Sequence, residues 1–276
     1  STDNGQNWSV VNNGLPSFSN VFSFAVSGAN IFAGTFSTGV FLSGNNGQSW
    51  TAVNNGLMNP IAGSAFDSRS IRALYVRDNY IFAGSEDGIF RSSDNGLTWI
   101  IVSFGLIRLV NYLPVYTLSF ASKGNALYAG TIFYGVVRST DNGQTWTRIN
   151  NGISSVDAVL AVAALQVVGN DIYAGTIGCQ YGACEQLYGV ENGVYRSSDG
   201  GESWSIVNYG LTGSAQYVLA LYAVDNHLFA GTNIGVYQSD DRGNNWRNSS
   251  AGISAAYIPA LLHTGSKLIA SVGEGV

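Results

Sequence analysis

Ser139-Thr140-Asp141-Asn142-Gly143-Gln144-Thr145-Trp146 is the stretch that decides how this chain is read. Its serine, glycine and closing tryptophan recur at Ser1 to Trp8, Ser43 to Trp50, Ser92 to Trp99, Ser197 to Trp204 and Ser239 to Trp246, and its aspartate in all of these but the second octet, so all six tryptophans end the same octet. The octets start 42, 49, 47, 58 and 42 residues apart, a period at which propellers and related repeat architectures are read. A second marker precedes every octet but the first: Ala33-Gly34-Thr35, Ala83-Gly84-Ser85, Ala129-Gly130-Thr131, Ala174-Gly175-Thr176 and Ala230-Gly231-Thr232, with a degenerate Ala270-Ser271-Val272 after the last octet. Six repeats are therefore expected.

Outward from the octet, each repeat reads as four short strands, in the first case Val21 to Val26, Ile31 to Thr35, Gly39 to Ser43 and Ser49 to Val53. Alternating apolar positions and β-branched or aromatic residues mark the strands, and Gly, Asn and Ser clusters separate them. No stretch holds a helical period. The octet falls between third and fourth strands, where Asp3, Asp94, Asp141, Asp199 and Asp241 can accept backbone N–H bonds in an Asx-turn. Asn45 takes that place in the second octet. Trp8, Trp50, Trp99, Trp146, Trp204 and Trp246 then return an apolar body to the sheet. Aspartates that repeat in one turn are read as structural. Four-stranded antiparallel units at this period predict an all-β, six-bladed propeller occupying residues 1–276 as one domain. The chain opens inside one repeat and closes inside another, and Gly275-Val276 read on into Ser1-Thr2-Asp3 nearly reproduces Gly235 to Asp241. The last blade, begun by residues 254–276, is thus expected to be completed by residues 1–15.

The chain has 276 residues, 46% hydrophobic and 11% charged, enough to bury a large core and too apolar for disorder. Lys and Arg total 12 against 17 Asp and Glu, a formal charge of -5. A nucleic-acid partner needs a dense basic face, and this composition does not furnish one. No apolar run approaches the roughly 20 residues of a membrane-spanning helix. Signal peptide, initiator Met and lipidation motif are not seen, and a mature or trimmed chain would have lost the first two.

The octets resemble the Asp-box, or BNR repeat, S-x-D-x-G-x-x-W, of sialidases, sortilin-type receptors, xyloglucanases, photosystem assembly factors and many secreted bacterial propellers. The flanking Gly193-Val194-Tyr195-Arg196 and Asn150-Asn151-Gly152-Ile153 look most like the secreted bacterial group. That resemblance implies an extracellular or cell-surface location. The box itself carries no activity across such a diverse family. In a propeller, the loops joining strands two to three and four to one share the face opposite the boxes. Candidate ligand residues on that face are Arg69, Glu86, Tyr112, Tyr134, Tyr181, Glu185, Tyr188, Glu191, Tyr217 and Tyr257, a tyrosine and carboxylate mixture that suits sugar or protein recognition.

Sialidase chemistry would need an arginine triad, a Tyr nucleophile with its Glu and an Asp acid/base. The R-I-P motif is absent. Arg91, Arg138 and Arg196 share one third-strand slot and read as structural, whereas Arg69, Arg72 and Arg108 come from neighbouring repeats, with Arg72 projecting from a first strand. Glu86, Asp87 and Glu274 are the carboxylates that another glycosidase could use. His227 and His263 have no ligand spacing, so no metal or cofactor is expected. Cys179 and Cys184 sit in the long insertion of the fourth repeat. A local disulfide in an exported protein is the reading preferred over a reduced cytosolic pair. Three functions stay open: a non-catalytic binding propeller for glycan or protein, a glycoside hydrolase or lyase, and a spacer in a larger surface protein with further domains.

Overall fold

The structure, a computed structural model, describes all residues other than 2, 4–5, 18, 58–68, 104–105, 107–114, 154–160, 179–190, 254–256, 265–266 and 274–276. Among the described residues it is all-β apart from 3-10 turns at Leu106 and at Gly213–Gln216. The first sheet runs β1 (Val21–Ser27), β2 (Asn30–Thr35), β3 (Val40–Ser43), β4 (Thr51–Ala52), each strand antiparallel to its neighbour. The pattern repeats in β5 (Ile71–Arg77) to β8 (Ile100–Ile101), β9 (Thr117–Lys123) to β12 (Thr147–Arg148), β13 (Val162–Val168) to β16 (Ser205–Ile206) and β17 (Val218–Val224) to β20 (Arg247–Asn248). Among the described residues the sixth repeat is represented by two strands, β21 (Leu261–Thr264) and β22 (Lys267–Ala270). The third strand expected there, at Gly275-Val276, lies outside the described residues, and residues 1–15 form no strand among those described. Octets follow the third strand of each sheet, β3, β7 (Ile89–Ser92), β11 (Gly135–Ser139), β15 (Val194–Ser197) and β19 (Gly235–Ser239), as the sequence predicts.

Both repeat markers have a packing reason. A Cβ on Gly34 would stand 2.7 Å from Ile71 Cγ2, and one on Gly175 would stand 2.6 Å from Val218 Cγ1. The marker glycine therefore lets the first strand of the next repeat lie against the second strand of its own. The following hydroxyl closes the loop to the third strand: Thr35 Oγ1 donates to Gly39 O at 2.8 Å and Thr232 Oγ1 to Gly235 O at 2.8 Å.

The chain divides into two compact bodies. In the first, Ser1–Leu118 with Thr140–Trp146, Ala25, Phe32, Val40, Leu57, Ile71, Leu74, Ile81, Phe90 and Trp99 form one buried cluster, and Ala33, Phe41 and Trp50 a smaller one. In the second, Ser119–Ser139 with Thr147–Val276, clusters centred on Tyr128, Tyr195 and Trp204 and on Tyr173, Tyr237 and Trp246 fill the spaces between successive sheets.

Within each body the tryptophans tie one repeat to the next. Trp50 Nε1 donates to Val11 O, Trp99 to Val53 O, Trp204 to Ile149 O and Trp246 to Val207 O, at 2.7 to 2.8 Å. Their backbone N–H groups reach Asn13, Asn55, Asn151 and Tyr209 carbonyls in the same order. Six residues beyond each preceding tryptophan comes a glycine at positive φ whose Cβ would sit 2.0 to 2.1 Å from the incoming tryptophan carbonyl: Gly14, Gly56, Gly152 and Gly210. Only glycine fits that seat. Trp146 differs, donating to Gly143 O of its own octet at 3.1 Å. Gly252 has the same left-handed φ of +84°, yet among the described residues nothing lies within 4 Å of its Cβ position. Trp8 is 76% exposed, whereas the other five tryptophans are 3 to 7% exposed.

Candidate ligand site

At the octet end of each sheet the polar groups are consumed by the turn. Asp94 Oδ1 accepts Ser92 Oγ at 2.8 Å and Thr98 N at 2.9 Å, and Oδ2 accepts Thr98 Oγ1 at 2.5 Å. Asp199 and Asp241 repeat this scheme. The Thr98 and Ser203 side-chain bonds hold Asp94 and Asp199 below the usual carboxylate range, and the backbone N–H of Asn7 brings Asp3 down to about 2. Asn45 keeps the geometry with an amide: Oδ1 accepts Ser43 Oγ and Ser49 N, and Nδ2 donates to Ser49 Oγ. Arg91, Arg138 and Arg196 each donate to a carbonyl of the following octet, Asn142, Gly200 and Arg242 respectively. These groups hold the fold.

The opposite end of the first two sheets is different. A bulge interrupts the first strand of the repeat between Val21 and Ser23, between Ile71 and Ala73, between Val162 and Ala164 and between Val218 and Ala220. Such an extra residue re-aims its side chain, and in the first body the residues so placed are Phe22 and Arg72. Arg72 Cζ lies 4.4 Å from the Phe22 ring centroid, 5.0 Å from Phe36 and 5.8 Å from Tyr116. Its Nη2 donates to Glu86 Oε1 at 3.1 Å. The same oxygen accepts Ser70 Oγ and Tyr116 Oη, both at 2.8 Å. Three donors thus converge on Oε1, while Oε2 carries no hydrogen bond among the described residues. Arg72 Nε is buried and likewise without an acceptor. Phe22 and Phe36 cross at 70° with centroids 5.9 Å apart and are 47% and 44% exposed. Rings stacked on a guanidinium hold it in one orientation, so the cluster offers a fixed carboxylate oxygen beside two half-exposed aromatic edges.

The residues read from sequence distribute unevenly. Glu86 is central to this cluster, and Arg69 lies exposed beside Ser70, with its carbonyl accepting Gly39 N at 2.9 Å. Tyr134 is corrected: it is 2% exposed, its N–H donates to Thr131 Oγ1 and its carbonyl accepts Asn150 Nδ2, so it braces its loop and presents no surface to a ligand. In the second body Glu191 is exposed and its carbonyl accepts Tyr195 Oη at 2.6 Å; Tyr217 and Tyr257 are each 38% exposed, and Tyr257 bridges to Gly273. Tyr112, Tyr181, Glu185, Tyr188, Cys179 and Cys184 lie outside the described residues. Sequence reasoning set Arg72 aside as a first-strand residue and did not select Phe22, Ser70 or Tyr116. The available signal was an arginine in a strand column otherwise filled by Phe22, Leu118, Ala163 and Leu219.

A cleft of about 510 Å³ also opens at the octet end of the second body, between the Val168–Asp171 and Asp225–Leu228 turns. Several of its polar groups are already engaged: Asp240 bonds His227, Gln238 and Arg247, and Tyr173 Oη donates to Arg242 O at 3.1 Å. No group of three or more His, Cys, Asp or Glu among the described residues could hold a metal ion.

Repeated four-stranded antiparallel sheets, stitched through octet tryptophans, define a β-propeller domain. The chain belongs to the DUF6242 beta propeller domain family, whose model matches residues 1–208. No curated protein sequence matches it. Among solved structures, the chain is similar to the extracellular domain described as part of the hybrid two component system BT3049 from B. thetaiotaomicron, with a TM-score of 0.69, 12% identity, 96% of this chain and 34% of that one covered. It is also similar to YCF48 bound to D1 peptide, with a TM-score of 0.63, 15% identity and coverage of 94% and 77%. The GH74 xyloglucanase from Xanthomonas campestris gives 0.62, 17% identity and coverage of 91% and 42%. The chain therefore spans about a third of the BT3049 domain and under half of the xyloglucanase. At these identities the likeness is one of fold.

Proposed function

We propose that this chain is a non-catalytic binding propeller, exported or held at the cell surface, that engages a glycan or protein through the ends of its sheets opposite the Asp-boxes. One observation carries the reading: the Glu86 cluster departs from the repeat and leaves an uncommitted carboxylate oxygen beside two half-exposed rings. Buried or half-buried polar groups are normally paired, and aromatic residues with arginine are enriched where partners bind. The extracellular location is supported by the bacterial sensor domains of similar fold, and a binding role by a similar propeller that holds a peptide. A glycoside hydrolase is the second reading, favoured by the likeness to GH74 enzymes and by the adjacent Glu86 and Asp87. Asp87 is 5% exposed, which argues against its reaching a substrate.

The finer architecture belongs to the same proposal: six blades, the last completed by the first octet. The Gly252 turn repeats the left-handed geometry that elsewhere receives a tryptophan carbonyl. By the register of the other repeats, Trp8 in that seat would direct its indole to the carbonyl of Ser249 and its backbone N–H to that of Ala251.

The binding reading is tested by probing glycan and peptide arrays with the parent chain, Phe36→Ala and Glu202→Ala, together with hydrolysis assays on polysaccharides. Glu202 serves as the octet-end control. Capture lost with Phe36→Ala and kept with Glu202→Ala supports it. The reverse pattern, or turnover of a polysaccharide, overturns it.

A further inference from the structure

Resting on the binding reading above, we propose that the Glu86 cluster receives a protein segment, which packs one apolar side chain on Phe22 and Phe36 and donates one hydrogen bond to Glu86 Oε2. The polar inventory of the site decides between partner classes. Ser70 Oγ, Tyr116 Oη and Arg72 Nη2 all point at Glu86 Oε1. A sugar ring presents several hydroxyls that each want a partner, and here the three nearest donors are already engaged. Among the described residues one open acceptor oxygen, Glu86 Oε2, remains.

The rings point the same way. Phe22 and Phe36 cross at 70° and share Arg72 between them, so neither extends the other into a flat platform for a pyranose face. They form an angular apolar surface, which a branched or aromatic side chain fills better than a flat ring does. Glu86 is a formally negative acceptor, and the complementary group on the partner is an N–H or O–H donor carried next to that apolar anchor, as in a backbone amide or the indole of tryptophan. Arg72, held by three rings and one carboxylate, needs no ordering on binding, which favours affinity from a small contact.

Peptides from a random display library, selected on the full chain, provide the probe, with a glycan array run in parallel. The expected result is a set of peptides sharing an aromatic or branched aliphatic residue, whose affinity falls at least tenfold with Phe36→Ala and with Phe22→Ala. Glu86→Gln should weaken them by a similar factor, because its amide puts a donor in place of the open acceptor while keeping an oxygen for Ser70 and Tyr116. Peptides indifferent to all three substitutions overturn the proposal. Glycans bound by the parent chain and lost with Phe36→Ala overturn it while leaving the binding reading standing. Capture of neither class removes both.

Discussion

Strand β7, Ile89–Ser92, has a carboxylate beyond each end. Asp94 follows it and spreads its acceptors over its own turn, both oxygens bonded to Ser92 and Thr98. Glu86 precedes it and gathers three donors on one oxygen from Ser70, Arg72 and Tyr116, leaving the other open. Asp94 has carboxylate counterparts in every octet but the second, where Asn45 stands, whereas Glu86 has none at its position in the other repeats. A charged group that recurs with the repeat serves the repeat; one that appears once, with its partners brought from three strands or loops, is free for a task outside the fold.

The octet end should therefore fail first when stability is challenged. Trp246→Ala removes a side chain that is 5% exposed and an indole bond to Val207 O, at a cost of about 3–5 kcal/mol. Gly210→Ala, whose Cβ would meet Trp246 O at 2.0 Å, should be at least as damaging. Chemical denaturation reads both. If Trp8 seats at Gly252, then Trp8→Ala and Gly252→Ala should approach these losses. If Trp8 keeps its 76% exposure in solution, its replacement should stay within about 0.5 kcal/mol, as exposed substitutions usually do.

Next in size is the octet carboxylate. Asp94→Ala should lower the melting midpoint, while Asp94→Asn should lower it less, because Asn45 already performs that turn with an amide. Acid acts through the same groups. Hydrogen bonds within the octet turns hold the folded pKa values of Asp3, Asp94, Asp199 and Asp241 below the ordinary carboxylate range. Their contribution is therefore complete above about pH 4 and is lost as pH falls through the folded values, near 2 for Asp3. Melting midpoints should hold from pH 7 to 5 and drop from pH 4 to 2. Restoring the consensus with Asn45→Asp should steepen that drop.

The smallest stability effect is expected at the loop end. Phe36 is 44% exposed, so Phe36→Ala should shift unfolding by no more than about 0.5 kcal/mol while removing ligand capture. A large loss of stability there would place Phe36 among the structural groups and dissolve the contrast with Asp94.

Much of the fold was legible because repetition amplifies weak signals: six octets and an Ala-Gly-Thr marker located the hairpins that the structure shows at β3–β4 and its counterparts. The marker glycine was visible, though its reason, contact with the next repeat at Ile71 or Val218, was not. Octet tryptophans were read as returning an apolar body to their own sheet, yet Trp99, Trp204 and Trp246 donate to carbonyls of the preceding repeat. Long-range pairing of that kind leaves no local trace. Glu86 was picked from its loop, whereas Arg72 and Phe22 were not, since a bulge that re-aims a strand residue is invisible to alternation. Tyr134 was picked by composition and proved to be core.

Amide hydrogen exchange with and without a selected peptide tests the division of labour most directly. The expected result is added protection at residues 36–39, 69–72 and 86–89, with the octet turns 94–98, 141–145, 199–203 and 241–245 unchanged. Protection confined to the octet turns would contradict it.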